Sequence, residues 1–586
     1  MRAGRNRHLE NREFARILYE TADLMEIAGE DGFRIRSYRN GASAIEGYPE
    51  KVSAILADPE RKVTDISGIG KGLAAVLHQI EATGSCDKRD ELLKKFPPAA
   101  LEFLKIQGLG PKSIALLFEH FQLTTMDQLE QLCRDQKLRE LPRMGAKLEE
   151  KVLRSIEQYR LRTGRFLLSF ADNTARELTA YLSDLPGIDA ITPAGSLRRG
   201  RETIGDLDLL VTGPNAAAAL DRMAANPRVH EILGRGVNKT SVKLGREGLQ
   251  VDVRALEHAT FGAAMQYFTG SKEHNVALRQ RAIRMGFKLS EYGLFRADDD
   301  TRVAGETEEE VYRALGLDWI PPELRENCGE IELAEAHALP KLIEQTDIRG
   351  DLHMHTTATD GRASLEEMAE AARALGYEYI AITDHSKAIA MAFGLDEKRV
   401  VEFAQTVRKI NETGNPGIRI FSGLECDIMK DGDMDIAWDA LAELDVVIGS
   451  VHSHMNLEPA AMTDRLLRAL ECPHLRALGH PTGRLLLHRD PFTFDFDKVM
   501  DEAVRRGVWL EVNASPERLD LSANHVRAAK AKGARFIVST DAHHPKHLAN
   551  MRYGILTARR GGLTAGDVMN TLPAAQFAQA LRAPRQ

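Results

Sequence analysis

The stretch DLHMHTTATDG, residues 351–361, sets His353 and His355 one residue apart, flanked by Asp351 and Asp360. Alternate side chains on a strand share a face. The pair is therefore either two histidines on a solvated strand or two ligands of one metal. The second reading needs more ligands, and the chain offers them. They are Asp360, Asp384 and His385 in TDHS, Glu425 in GLECD, His452 and His454 in GSVHSHM, His480 in LGHPTGR, and Asp541 and His543 in STDAHHP. Most follow an apolar, strand-like run. In an α/β barrel the C-terminal ends of the strands converge on one face, so ligands spread over about 190 residues can meet. Imidazole with carboxylate suits Zn²⁺, Mn²⁺ or Fe, and Glu425 or Asp541 could bridge two ions.

A second set is made of carboxylates. Asp206 and Asp208 in GDLDLLV share one strand face, with Leu207 and Leu209 on the other. Asp252 in LQVDVRAL has similar strand context and could lie on a neighbouring strand. Three carboxylates on one face repel unless cations neutralise them. Two divalent ions about 4 Å apart would do so and would clamp an in-line phosphoryl displacement. Magnesium favours this mixture of carboxylate, phosphate and water oxygens. Just upstream, Gly195, Ser196, Arg198 and Arg199 form a small loop whose guanidinium forks suit triphosphate oxygens. A DxD alone is also common in solvated turns; the loop beside it is what favours chemistry.

These residues need several domains to position them, since 586 residues exceed one core. Residues 8–60 have helical apolar spacing. ISGIGKGLAAVLHQI (66–80), IQGLGPKSIALLFEH (106–120) and the weaker LPRMGAKLEEKVLRSI (141–156) each place a turn with glycine before a helix. Gly68, Gly70, Gly108 and Gly110 allow close backbone approach, and free amides at the helix start suit a phosphate, with Lys71 and Lys112 beside them. Strands and loops dominate after residue 190. Residues 297–347 are acidic and mixed, and read as the end of a module and a linker. After 348, apolar runs (YIAIT, RIFSGLECDI, DVVIGSVHS, LRALGHP, VWLEVN, ARFIVST) alternate with helical stretches, which predicts an α/β barrel.

The glycine turns resemble the helix-hairpin-helix, which grips DNA phosphates without reading bases. GSLRRGRETIGDLDLL resembles the nucleotidyltransferase motif of family X DNA polymerases, the polymerase beta group. YFTGSKEHNVALRQRA is similar to that family's nucleotide pocket, and Tyr38, Arg39 and Ala42 echo an early family segment. The resemblance covers residues 1 to about 320. It implies that Asp206, Asp208 and Asp252 hold two Mg²⁺ or Mn²⁺, with Asp252 near the primer 3′-hydroxyl. Ser196 and Arg199 of the Gly195 loop would grip the β- and γ-phosphates of a deoxynucleoside triphosphate, with the Gly205 amide nearby. Tyr267 and Phe268, next to Gly270, would line the sugar pocket. Asn275 would reach the minor-groove edge of the incoming base and Arg279 the template strand. One departure stands out. Val76 occupies the position at which eukaryotic relatives carry a Schiff-base lysine, and valine cannot form an imine, so lyase activity is expected to be weak or absent.

The histidine-rich half resembles the PHP domain, whose members use nine ligands for up to three metals. Those positions are His353, His355, Asp360, His385, Glu425, His452, His480, Asp541 and His543. Asp384, His454, His544 and His547 fall outside the set, as supports or surface residues. Together the halves resemble a bacterial or archaeal polymerase X. The resemblance implies gap filling in base-excision repair and a PHP site with 3′-5′ exonuclease activity, with AP-endonuclease and 3′-phosphatase as related chemistry. The implied fold is multidomain α+β and α/β. Its expected divisions are helical domains 1–90 and 91–160, a mixed-sheet palm 161–258, a thumb-like domain 259–322, a linker 323–347, and a distorted (β/α)7 PHP barrel 348–586.

Charge fits a nucleic-acid partner unevenly. Residues 1–300 carry 45 Lys+Arg and 42 Asp+Glu (net +3), and the remainder 33 against 44 (net −11). Weak nonspecific binding follows, with a preference for short gapped DNA bearing a 5′-phosphate. No apolar run approaches the roughly 18 residues needed to cross a membrane, and five scattered cysteines without a CxxC predict a reducing setting. A cytoplasmic, nucleoid-associated monomer is expected. The rival readings are a histidinol-phosphatase-type enzyme with a DNA-binding module, and a scaffold with a degenerate site. The carboxylate triad beside its GS loop opposes the first, and nine filled ligand positions oppose the second.

Overall fold

The structure is a computed structural model that describes residues 9–582 apart from 10, 47, 49, 50, 67, 122, 143, 163, 246, 390, 391 and 414–416. The chain forms two compact units, residues 1–163 and 164–586.

The first unit is helical. Phe14, Leu24, Leu77, Phe103, Leu117 and Leu129 belong to one buried cluster, so the expected 1–90 and 91–160 modules share a core. Three turns repeat one hydrogen bond. The amides of Ile69, Leu109 and Met144 donate to the carbonyls of Ile66, Ile106 and Leu141. Those residues are buried and anchor each turn. Gly68 (φ +93°) and Gly108 (φ +104°) sit in the left-handed region at the exposed tips, where a Cβ is penalised. The helices Lys71–Thr83, Pro111–Phe121 and Ala146–Arg162 follow.

The second unit begins with a short ribbon of β1 (Phe166–Leu167) against β3 (Thr203–Ile204). A five-stranded mixed sheet has the order β2 (Ala190–Pro193), β4 (Asp206–Thr212), β7 (Leu249–Leu256), β6 (Lys239–Leu244), β5 (Val229–Arg235). β4 and β7 run parallel with Asp208 opposite Asp252. Next come β8 (Phe287–Ser290), β9 (Gly293–Arg296) and β10 (Arg302–Ala304) as an antiparallel sheet. Residues 323–347, expected as a linker, are packed instead. Leu324, Ile331, Ala334 and Leu342 join the core built on Leu278, Leu294 and Tyr312. Arg325 is fully buried there. It bonds Glu308 at 2.5 Å and lies against the faces of Tyr312 and Trp319. Burial opposes ionisation of Glu308, yet Arg198 and Arg325 hold its carboxyl down at about 2.

Seven parallel strands follow in sequential order: β11 (Gly350–Asp351), β12 (Tyr379–Ile382), β13 (Arg419–Asp427), β14 (Val446–Ser450), β15 (Leu475–Leu478), β16 (Trp509–Asn513) and β17 (Phe536–Ser539). They are buried almost throughout, as strands covered on both faces must be. The expected first strand over DLHMH is shorter than its alternation suggested. β11 ends at Asp351, and Met354 makes only a single parallel bridge, to Ala542. That bridge nearly closes the barrel. The buried Asn570 side chain completes the seam in place of a strand. Its Nδ2 donates to Gly350 O (2.8 Å) and Val538 O (2.7 Å), and its Oδ1 accepts from Val538 N (3.0 Å).

The barrel packs on the palm sheet. Leu519 and Tyr553 enter the palm core. Glu202 pairs with Arg560 (2.8 Å) and Arg484 (3.7 Å). Burial disfavours its charge, but those guanidinium groups lower its carboxyl to about 2.

Asn570→Ala would strand three buried backbone groups at the seam. The expected cost is roughly 3 kcal/mol, read as a lower urea midpoint of the barrel by tryptophan fluorescence. An unchanged midpoint would show that the seam does not depend on this amide.

Candidate active sites

At the C-terminal mouth of the barrel, the fully buried carboxylate of Glu425, from the end of β13, is surrounded by five imidazoles. Its Oε2 lies 2.9 Å from His385 Nδ1, 3.4 Å from His353 Nε2 and 3.7 Å from His355 Nε2. Its Oε1 lies 2.8 Å from His480 Nε2 and 3.3 Å from His452 Nε2. Asp541 Oδ1 stands 3.2 Å from His355 Nε2 and 3.7 Å from His353 Nε2. Asp360 Oδ2 is 3.4 Å from both His385 Nε2 and His543 Nε2. All nine residues singled out in the sequence thus meet in one place. Three subsets of donor atoms cluster closely enough to hold an ion: His355, Asp360, His385 and His543; His353, His355 and Glu425; and His385, Glu425 and His452.

The cluster is far from electrostatically ordinary. Burial pushes against ionisation of Glu425, yet His452, His353 and His385 hold it well below the usual range. Burial drives His355 down to about 3 despite Asp541, whereas Glu425 and Asp360 overcome burial to lift His385 to about 10. The buried nitrogens His353 Nε2, His355 Nδ1 and His480 Nδ1 have no hydrogen-bond partner among the described residues. Buried polar atoms are normally satisfied, so these fit a group that accepts lone pairs, and a divalent cation does so. Asp541 holds φ +53° and His480 φ +25°, backbone strain of the kind found where a side chain must be aimed.

Residues outside the nine hold the cluster in place; the sequence marks Asp384 as such a support but does not single out Glu511 or Asp427. Glu511, at the third position of β16, accepts from His353 Nδ1 (2.7 Å), Ser539 Oγ (2.7 Å), the His480 amide (2.5 Å) and Asn513 Nδ2 (3.2 Å). Its grip on Nδ1 leaves His353 Nε2 facing Glu425. Its position in a strand run at the barrel mouth was the available signal. Asp384 accepts from the Thr356 amide (2.8 Å), Thr356 Oγ1 (2.7 Å) and Thr359 Oγ1 (2.5 Å), which pins the loop carrying His355 and Asp360. Asp427 sits 3.3 Å from His452 Nδ1. His454 is exposed, and His544 caps a short helix by accepting from the Lys546 amide.

In the palm, Asp206 is exposed, Asp208 half-buried, and Leu207 and Leu209 buried, so the alternation holds. Burial, Asp206 and Asp252 together raise the Asp208 carboxyl to about 6. Asp252 is buried too, but Lys239, in direct ion-pair contact, keeps it below the usual range. Gly195 has φ +64°, and a Cβ there would stand 2.9 Å from Asp208 Oδ2. The GS turn therefore presses on the acidic face. Ser196 is half-buried beside it. Arg198 pairs with Glu308 (2.8 Å). Arg199 is already engaged, by Glu326 (2.9 Å) and the Thr269 carbonyl (2.8 Å). Gly205 directly precedes Asp206.

The rings of Tyr267 and Phe268 meet edge to face at 5.1 Å, and Arg254 lies over Phe268. Asn275 donates to Tyr267 O (2.7 Å) and accepts from Gln266 Nε2 (2.9 Å). A Cβ at Gly270 would collide with Asn275 Oδ1 at 2.6 Å. Asn275 and the exposed Arg279 lie one turn apart on the helix Lys272–Arg284. In the helical unit Gly70, Lys71, Gly110 and Lys112 are exposed beside their turns, whereas Val76 packs against the core. Tyr38 is buried and Arg39 pairs with Asp23 and Glu26.

Comparison with known families matches residues 9–86 to a helix-hairpin-helix domain and 100–158 to a SAM-like helix-hairpin-helix tandem. Residues 264–326 match the DNA polymerase beta thumb and 351–514 the PHP domain. The DNA polymerase/3′-5′ exonuclease PolX of Bacillus subtilis is 35% identical over 563 residues, 96% of this chain and 97% of that protein. A probable phosphatase of Acetivibrio thermocellus is 30% identical over 203 residues, 33% of this chain and 78% of its own. DNA polymerase lambda of Rattus norvegicus is 24% identical over 332 residues, 50% and 53% respectively.

Glu511→Gln keeps the volume but puts an amide donor among four donors. Metal retention in the barrel should fall about 10–100-fold, measured by competition with a chromophoric chelator. Retention equal to wild type would mean that Glu511 does not orient His353.

Proposed function

The chain belongs to the DNA polymerase/3′-5′ exonuclease PolX family, and from that premise we propose how its residues divide two opposed reactions. It is a family X DNA polymerase with a PHP exonuclease, and DNA is its partner. The observation that carries the reading is the presence of both clusters in one chain matched over 96% of its length. Likeness to probable phosphatases covers 33–38% of the chain.

In the proposed synthesis step, Asp206, Asp208 and Asp252 hold two Mg²⁺ or Mn²⁺. Divalent cations at such a site neutralise the carboxylates and the phosphate charge that develops. Asp252, kept ionised by Lys239, takes the proton of the primer 3′-hydroxyl as the hydroxyl oxygen attacks the α-phosphorus, and the α–β phosphoanhydride bond breaks so that pyrophosphate leaves. Ser196 and Arg199 receive the β- and γ-phosphates, with the Gly205 amide. Because Arg199 rests on Glu326, the triphosphate must displace one carboxylate to bind. Tyr267 and Phe268 wall the sugar and disfavour a 2′-hydroxyl. Asn275, released from the Tyr267 carbonyl, turns to the base edge, and Arg279 meets the template. The turns at Gly68, Gly70, Gly108 and Gly110, with Lys71 and Lys112, hold backbone phosphates around a short gap with a 5′-phosphate.

In the proposed removal step, the nine barrel residues hold up to three ions of Zn²⁺, Mn²⁺ or Fe. Glu511 and Asp384 keep the donors aimed, and the buried wall limits access to a strand end. The same geometry suits AP-site and 3′-phosphate cleavage. The proposed working unit is a monomer beside the nucleoid.

A 5′-labelled primer in gapped DNA separates the two steps. With Mn²⁺ and no nucleotides, Asp206→Ala should shorten it as wild type does, and His353→Ala should lose shortening by roughly 10²-fold or more. With nucleotides the pattern should invert. If both variants lost both reactions, the assignment of separate sites would fail.

A further inference from the structure

A groove of about 950 Å³ runs between the barrel and the palm. Asp541 and His543 of the metal-competent cluster lie in its wall, and its barrel side continues through Arg518 and His547. Leu167, Ser169 and Asn173 form the palm side. Leu167 belongs to β1, paired with Thr203 in the ribbon that leads into Asp206 three residues later. Arg518 Nε stands 3.4 Å from Asp541 Oδ2, and its buried Nη1 has no hydrogen-bond partner among the described residues. Arg552, also lining the groove, is already tied to Asp172 and Asn173. Arg518 therefore brings an uncommitted guanidinium donor closest to the cluster, beside Asp541. Guanidinium forks match phosphodiester oxygens.

We propose that this groove seats the single-stranded 3′ end of DNA during exonucleolytic cleavage, with the palm supplying one wall and Arg518 gripping a phosphate next to Asp541. The proposal rests on the exonuclease reading above and adds the path of its substrate. Pockets of about 300–1,000 Å³ enclose compact ligands. A groove of this size takes the last nucleotides of a frayed strand and not a duplex. A strand end would have to leave its template before it reached the cluster. The palm would then take part in both reactions, through different faces.

The test narrows the groove from the palm side, away from the metal ligands. Ser169→Trp and Asn173→Trp are compared with wild type on two substrates, a 3′-tailed oligonucleotide and bis(p-nitrophenyl) phosphate. The small diester needs the cluster but no strand path. The ratio of DNA cleavage to diester hydrolysis should fall at least tenfold in both variants, and an unchanged ratio would overturn the proposal. Failure of Mn²⁺-loaded wild type on both substrates would overturn the exonuclease reading itself, a distinct result. As a measure independent of turnover, an oligonucleotide with 3′-terminal 4-thiothymidine is irradiated on wild type in Ca²⁺. Crosslinks within residues 167–173 or 515–518 are expected. Crosslinks confined elsewhere would contradict the groove.

Discussion

Everything at the barrel mouth depends on one buried carboxylate. Glu425 is almost without solvent contact, and five imidazole rings crowd its two oxygens. An isolated charge in such a place costs several kcal/mol. The rings cannot all be protonated to compensate it, because burial drives His355 the other way. Protonated rings such as His385 offset part of the charge, and divalent cations among the donors would also meet the unpartnered ring nitrogens of His353, His355 and His480. The need to gather these donors explains the elements around them. Sequential parallel strands bring their ends to one mouth, Asn570 closes the seam, Asp384 pins the first ligand loop, and Glu511 fixes which nitrogen of His353 faces inward.

The palm solves a related problem with fewer groups. Asp208 and Asp252 face each other across paired parallel strands, and the Asp208 carboxyl is pushed up to about 6 by burial and its acidic neighbours. Lys239 relieves part of the repulsion at Asp252. On the other side of the GS turn, Glu326 occupies Arg199, so a carboxylate stands where the triphosphate is proposed to bind. Both sites are thus concentrations of like charge or lone pairs that only a charged partner relieves. The salt bridges of Glu202 with Arg560 and Arg484 hold the two together as one body.

Much of this was legible from residue order because it depends on local period. The DxD alternation, the GS loop, the repeated glycine turns and six of the seven barrel strands follow from neighbours two to four residues apart. The His353 and His355 pair was legible as a pair, but its alternation suggested a strand that is not there, since the ladder stops at Asp351. Other features depend on contacts between distant segments. Asn570 acts on Gly350 from 220 residues away and Glu511 on His353 from 158. The engagement of Arg199 by Glu326 spans 127. Residues 323–347 look polar and mixed, and only the apolar positions facing the thumb core reveal that they are packed. No periodicity encodes such pairings, and Glu511 in particular reads like any polar residue in a strand.

The central claim is that the barrel cluster is a metal centre and not a packed knot of histidines. Elemental analysis of the purified full-length protein after exhaustive dialysis against metal-free buffer tests it directly. The account predicts two or three tightly held transition-metal ions per chain, lost in Glu425→Gln while the protein remains folded. A folded wild-type protein that holds none, and takes up none when Zn²⁺ or Mn²⁺ is returned, would contradict it.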